Sequence, residues 1–201
     1  MRARRSIALG FVLLVGSGCG ANKLKESARD EYCNALESSP VKVDNPLDSV
    51  ASSLRALQMI HGSMQTFMDR GEDTRELLWR MAGACETIAS GWSQAVGNTS
   101  ALNSDWWSVR QVTGALVIDP PTALSDSKEL HQACVPDDLH AGAPPDAATL
   151  RTATAHGHAA LEELKSEKAR WVRERDSALA KCEASGWQRR HEPGYWLNPK
   201  R

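Results

Sequence analysis

The chain has 201 residues, 24 basic and 25 acidic side chains, and a formal net charge of −1. A charge balance so close to neutral argues against nucleic-acid binding, which wants a basic stripe. Its length suits one domain with a real core; seven tryptophans and five cysteines are the unusual part of its composition.

The first elements in chain order are not structural. Met1 to Arg5 is basic, Ile7 to Val15 is apolar, and Gly16-Ser17-Gly18-Cys19 is small. That order makes a secretory signal. The apolar run falls short of the roughly 20 residues a spanning helix needs. The Gly16-Ser17-Gly18-Cys19 ending resembles the lipobox of bacterial lipoproteins, with Gly16 where the pattern usually has leucine. The resemblance implies cleavage before Cys19, lipidation of its thiol and new amino group, and attachment to the membrane through that lipid. Gly20 follows, and by the same resemblance the lack of Asp there implies the outer membrane, facing the periplasm. The segment also fits an ordinary secretory signal cut after Ala21. Loss of residues 1–18, with three arginines and no acid, takes the formal charge from −1 to −4. The expected organisation is a signal peptide over 1–18, a helical domain over 19–186, and an aromatic, basic tail over 187–201.

The body predicts helices. Lys23 to Glu37 carries Leu24, Ala28, Tyr32 and Leu36 on one face. Asp44-Asn45-Pro46 offers a cap and a first-turn proline. Leu47, Val50, Leu54, Leu57, His61, Met64 and Met68 then alternate by three and four, and Gly71 ends the run. Asp73 and Glu76 resemble a capping box. Leu78, Met81, Cys85, Ile88 and Trp92 continue the spacing until Gly97-Asn98, which predicts a stop. So short a loop predicts an antiparallel hairpin. Asp105 to Val117 predicts another helix through Trp106, Val109, Thr113 and Leu116, although Leu116-Val117-Ile118 also suits a strand. Ser125 to Cys134 predicts a short helix, and Val135 to Pro145 a loop. Pro144-Pro145-Asp146 opens a long helix that Gly186 closes, with Leu150, Gly157, Leu161, Leu164, Trp171, Ala178 and Cys182 on one face. Lys168 and Arg175 interrupt that face, so its far half is expected to be only partly covered. Glu162 with Lys165 and Arg170 with Glu174 form charge pairs along it. The fold class is an all-α, up-and-down helical bundle with a long C-terminal helix and two disulfides.

Cys33, Cys85, Cys134 and Cys182 are an even set, as two disulfides in an oxidising compartment require. Their intervals match no zinc spacing. A straight helix from Asp146 to Cys182 spans about 54 Å. The chain from Cys134 to Asp146 reaches at most about 43 Å. The remaining gap of about 11 Å exceeds the roughly 7 Å a disulfide allows. This disfavours Cys134–Cys182, and with it Cys33–Cys85. Cys33–Cys182 with Cys85–Cys134 is preferred, because it staples the first helix to the last and the middle segment to the hairpin. Cys33–Cys134 with Cys85–Cys182 stays open.

No residue set predicts catalysis, a metal or a cofactor. His156 and His158 are two apart on a helix and point apart. Asp137, Asp138 and His140 suit a solvated loop. His61 lies in an apolar stripe and predicts a core or interface histidine. There is no Gly-x-Ser-x-Gly elbow, phosphate loop or His-Glu-x2-His pair. Trp79, Trp92 and Trp171 predict core or half-core positions. Trp106 and Trp107 cannot both face inward, and Trp107 is expected to be the more exposed. The tail's Trp187, Arg189, Arg190, His191, Tyr195, Trp196, Lys200 and Arg201 are expected to dock on the bundle, with a headgroup surface as the alternative. The functional expectation is a lipid-anchored, non-enzymatic lipoprotein of the bacterial cell envelope that binds or scaffolds another envelope protein. The alternatives are a small-ligand or metal-binding lipoprotein, and an enzyme.

Overall fold

The structure is a computed structural model and describes residues 18–113, 118–134 and 144–191. Five α-helices follow one another: α1 (Gly18–Glu37), α2 (Asn45–Arg70), α3 (Arg75–Thr113), α4 (Lys128–Ala133) and α5 (Ala147–Ala184). No strand occurs among the described residues. A π-helical turn, Pro40–Asp44, joins α1 to α2. Together they form one descending column.

Gly71 ends α2 in the left-handed conformation at φ 69°, and the Glu72 N–H closes back on the Phe67 carbonyl at 2.9 Å. A side chain there would be strained, which is why the chain turns at glycine. Asp73 accepts from the Arg75 N–H at 3.0 Å. Glu76 reaches forward to Arg80 at 2.6 Å instead of back, and Asp73 bonds the N–H of Arg75 and not of Glu76, so the reciprocal capping box does not form. The chain then ascends as α3, antiparallel to the column. Asn98 Nδ2 donates to the Lys42 carbonyl at 2.8 Å, which fixes the register at the π-turn.

The expected stop at Gly97-Asn98 does not occur. α3 runs through it for 39 residues, and the separate helix from Asp105 is its continuation. The reason is visible in the spacing. Trp92, Ala95, Thr99, Leu102, Trp106 and Val109 keep the three-four alternation across the glycine, and α1 is there to cover it. Burial of that stripe outweighs the roughly 1 kcal/mol a helical glycine costs.

The next descending element is mostly not a helix. Residues 118–127 run extended along α3 and α5, and α4 finishes the descent. Side chains satisfy this strap's backbone. Trp106 Nε1 donates to the Ile118 carbonyl at 2.9 Å, the Thr122 N–H to Glu174 at 2.7 Å, and the Leu124 N–H to Thr99 at 3.1 Å. Ser127 caps α4, accepting from the Leu130 N–H, so the helix starts at Lys128 instead of Ser125.

α5 ascends last. Asp146 caps it, accepting from the Thr149 N–H at 2.6 Å, and the helix is unbroken through Gly157. The far half of α5 is covered, contrary to expectation. Arg175 is 8 % exposed and pairs with Asp44 at 2.7 Å. Lys168 pairs with Asp48 one turn along α2. The two charges that interrupt the apolar face meet the two acids that open α2. Asp44 is thereby taken from its expected capping role and makes no cap hydrogen bond.

The disulfides are Cys33–Cys182 and Cys85–Cys134, with Cα separations of 6.0 and 5.8 Å. The first lies beside a small cluster of Tyr32, Leu36, Ile118, Ala178, Leu179 and Trp187, against which Trp106 and Val109 pack. The main core lies lower, between α2, α3, α4 and α5.

Candidate functional site

The chain direction places the ends. The α1–α2 column descends and α5 ascends beside it. Arg29 on α1 donates to the Ser185 carbonyl just past α5. The start of α1 and the ends of α3 and α5 therefore lie at one end of the bundle. Cys19 sits in the first turn of α1. Its 14-residue distance from Cys33 is about 21 Å of helix. Asn22 to Ser27 are all exposed, so α1 leaves the bundle as a projecting, charged stem. Among the described residues no helix is long and apolar enough to cross a membrane.

Near the level of Cys33, α3 carries a Trp–Trp–Arg cluster. Trp106 is half-buried and hydrogen-bonded to Ile118, whereas Trp107 is 55 % exposed. Their ring centroids are 6.3 Å apart. The Arg110 guanidinium lies 5.4 Å from one centroid and 5.7 Å from the other, within cation–π range of both. The expected order of exposure holds: Trp106 continues the apolar stripe and Trp107, 100° around the helix, leaves it.

Trp92 and Trp171 are core residues, but Trp79 is not; it is 78 % exposed. It follows Leu78 in sequence, and one step around α3 carries its ring from the buried stripe to solvent.

The histidines are divided between partners. His156 Nδ1 lies 2.6 Å from Glu129, and His158 Nδ1 lies 3.1 Å from Gln58. They face α4 and α2 separately, as their spacing demands. His61 is 2 % exposed, and its Nδ1 lies 3.1 Å from the Thr154 hydroxyl. That hydroxyl donates to the Leu150 carbonyl at 2.8 Å. Its one proton is used there, so it accepts from His61, and His61 carries its hydrogen on Nδ1. Nε2 is then a buried acceptor without a partner. Burial pushes the His61 pKa below its ordinary value. Among the described residues no carboxylate reaches the ring, so it lacks the orienting acid of a catalytic triad.

No group of three or more His, Cys, Asp or Glu side chains suited to a metal ion occurs among the described residues. Asp137, Asp138 and His140 lie outside them. An open cleft of about 550 Å³ beside α1 is lined by Lys23, Glu26, Ser27, Asp30, Glu31, Asn34 and Arg190, a mixed-charge surface.

The start of the tail docks. Trp187 is buried and donates from Nε1 to Asn34 at 3.2 Å. The Arg190 and His191 N–H groups both donate to Glu37, at 3.1 and 2.9 Å. Gly186, at φ 94°, makes the reversal that brings Trp187 back. Residues 187–191 thus pack on the bundle; Tyr195, Trp196, Lys200 and Arg201 lie outside the described residues. The chain matches no family model, no curated protein and no solved structure.

Proposed function

We propose that the protein is a bacterial envelope lipoprotein, cut before Cys19 and lipidated there, that binds another envelope protein and performs no catalysis. The Gly16-Ser17-Gly18-Cys19 run supports the anchor. The observation that carries the binding role is the exposed Trp107 ring, stacked with Arg110 on a rigid helix toward the same end as Cys19. Trp and Arg are the side chains that dominate protein–protein binding energy. A stem of about 12 Å from Cys19 to Ser27 would lift that surface off the headgroups while keeping it beside the membrane. The absence of Asp after Cys19 supports the outer membrane and its periplasmic face.

Mass spectrometry of the N-terminal peptide from membranes tests the anchor. An acylated peptide beginning at Cys19, lost in Cys19→Ala together with membrane attachment, is the expected result. An unmodified peptide beginning at Asn22 means an ordinary signal cut after Ala21 and overturns the anchor.

A further inference from the structure

The surface around Trp107 has a charge that no described residue answers. Arg29, Arg75, Arg80, Arg170, Arg175 and Arg189 each reach a carboxylate, while Arg55, Arg110 and Arg173 do not among the described residues. Arg110 meets two indole faces instead, and among the described residues no carboxylate pairs with it. Asp105 is the one acid on α3 from Ser100 to Thr113. It is two residues from Trp107 and five from Arg110, which turns it to the far side of the helix. The neighbours on the Trp107 side, Asn103 and Gln111, are uncharged.

Stacking decides what Arg110 offers. A guanidinium held over aromatic faces keeps its planar N–H edge free and loses little rotamer entropy when that edge is used. A fork of that kind matches a carboxylate bidentately. The exposed Trp107 ring beside it supplies a flat apolar platform.

We propose that Trp107 and Arg110 form a docking surface for a protein segment that presents an Asp or Glu carboxylate next to an apolar side chain. The carboxylate takes the Arg110 edge and the apolar side chain covers Trp107. This rests on the binding role proposed above and names the partner's chemistry.

The test uses the full chain in the membranes of producing cells, with a benzophenone side chain at Gln111 and, as control, at Val112. Both positions are exposed, and Val112 points away from Arg110. The expected result is one protein adduct from position 111 and none from 112. Arg110→Glu should weaken the interaction about 30-fold, the loss expected at a hot spot. Changing the acid nearest the cross-link on the partner to Arg should restore the adduct to Arg110→Glu. Unchanged circular dichroism melting of Arg110→Glu shows that the exposed substitution leaves the fold intact. No adduct, equal adducts from both positions, or an adduct indifferent to Arg110→Glu overturns the proposal. So does a lipid partner: purified Cys19→Ala protein added to vesicles of phosphatidylethanolamine and phosphatidylglycerol would then show a blue shift that Trp107→Phe abolishes. The Cys19 mass read from the same membranes keeps the two readings apart, since an adduct on unlipidated protein retains the docking surface and discards the anchor.

Discussion

Asp44 and Arg175 form a buried ion pair across 131 residues of sequence, with Nη1 and Oδ2 2.7 Å apart. Asp44 ends the π-turn, and Arg175 sits one turn past Trp171 on α5. The pair therefore locks the column to the last helix. Removing one charge leaves the other buried and unpaired, which typically costs about 3–5 kcal/mol. Arg175→Met should lower the unfolding free energy from urea titration by that much, while Asp44→Leu with Arg175→Met should regain most of it. A double variant no better than the single one would show that the pair is not what holds the two elements.

His61 predicts an acid-sensitive core. Its folded pKa lies below the ordinary 6.5, with burial as the cause. Above pH 6.5 the ring is neutral in both states, and its contribution to stability is fully present. As the pH falls below 6.5 the unfolded chain takes the proton first. Stability is then lost, by at most about 1.4 kcal/mol per unit, until the folded pKa is reached. Urea unfolding at pH 7.5, 6.0 and 5.0 should show a steeper decline in wild type than in His61→Leu. Parallel curves would mean that the ring titrates normally in the fold.

The two disulfides close loops of different size, with sequence separations of 149 and 49. Loop-closure entropy makes the wider one worth more, by up to about 1 kcal/mol. Cys33→Ser with Cys182→Ser should reduce the thermal midpoint further than Cys85→Ser with Cys134→Ser. The reverse order would mean that local packing around Cys85 outweighs the chain-entropy difference.

Three glycines on α3 separate helix propensity from packing. A Cβ on Gly91 would sit 2.9 Å from Val50 Cγ2 and 3.3 Å from the Pro46 carbonyl oxygen, so α2 and α3 touch there. A Cβ on Gly83 or Gly97 would meet nothing within 4 Å. Gly83→Ala and Gly97→Ala should each stabilise by about 1 kcal/mol, the ordinary helical gain. Gly91→Ala should destabilise, because the new Cβ would press on Val50, which is fully buried and has no room to shift, with the Pro46 carbonyl behind it. Thermal melts of the three variants decide it.

The sequence alone determined the elements whose physics is local. The three-four spacing over Leu47 to Met68, the glycine stop at Gly71 and the Asp146 cap all mark helices that form where they were expected. The length of one rigid helix also ruled against Cys134–Cys182, while the choice between the two pairings left came from the tertiary structure. What only the tertiary structure decided depends on partners distant in the chain. Gly97-Asn98 is a stop signal that α1 and the π-turn override by covering the stripe on either side of it. Arg175 read as an exposed interruption because its partner, Asp44, lies 131 residues away and read as a cap. The extended strap at 118–127 has no period of its own, since Thr99, Trp106 and Glu174 supply its hydrogen bonds. Trp107 was legible as the outer ring of its pair. Its cation–π contact with Arg110 was missed, although a spacing of three on a helix is the signal that could have found it. That α3 brings this cluster toward the same end as Cys19 was not legible, because helix direction in a bundle is fixed by packing and connection, and no local residue pattern carries it.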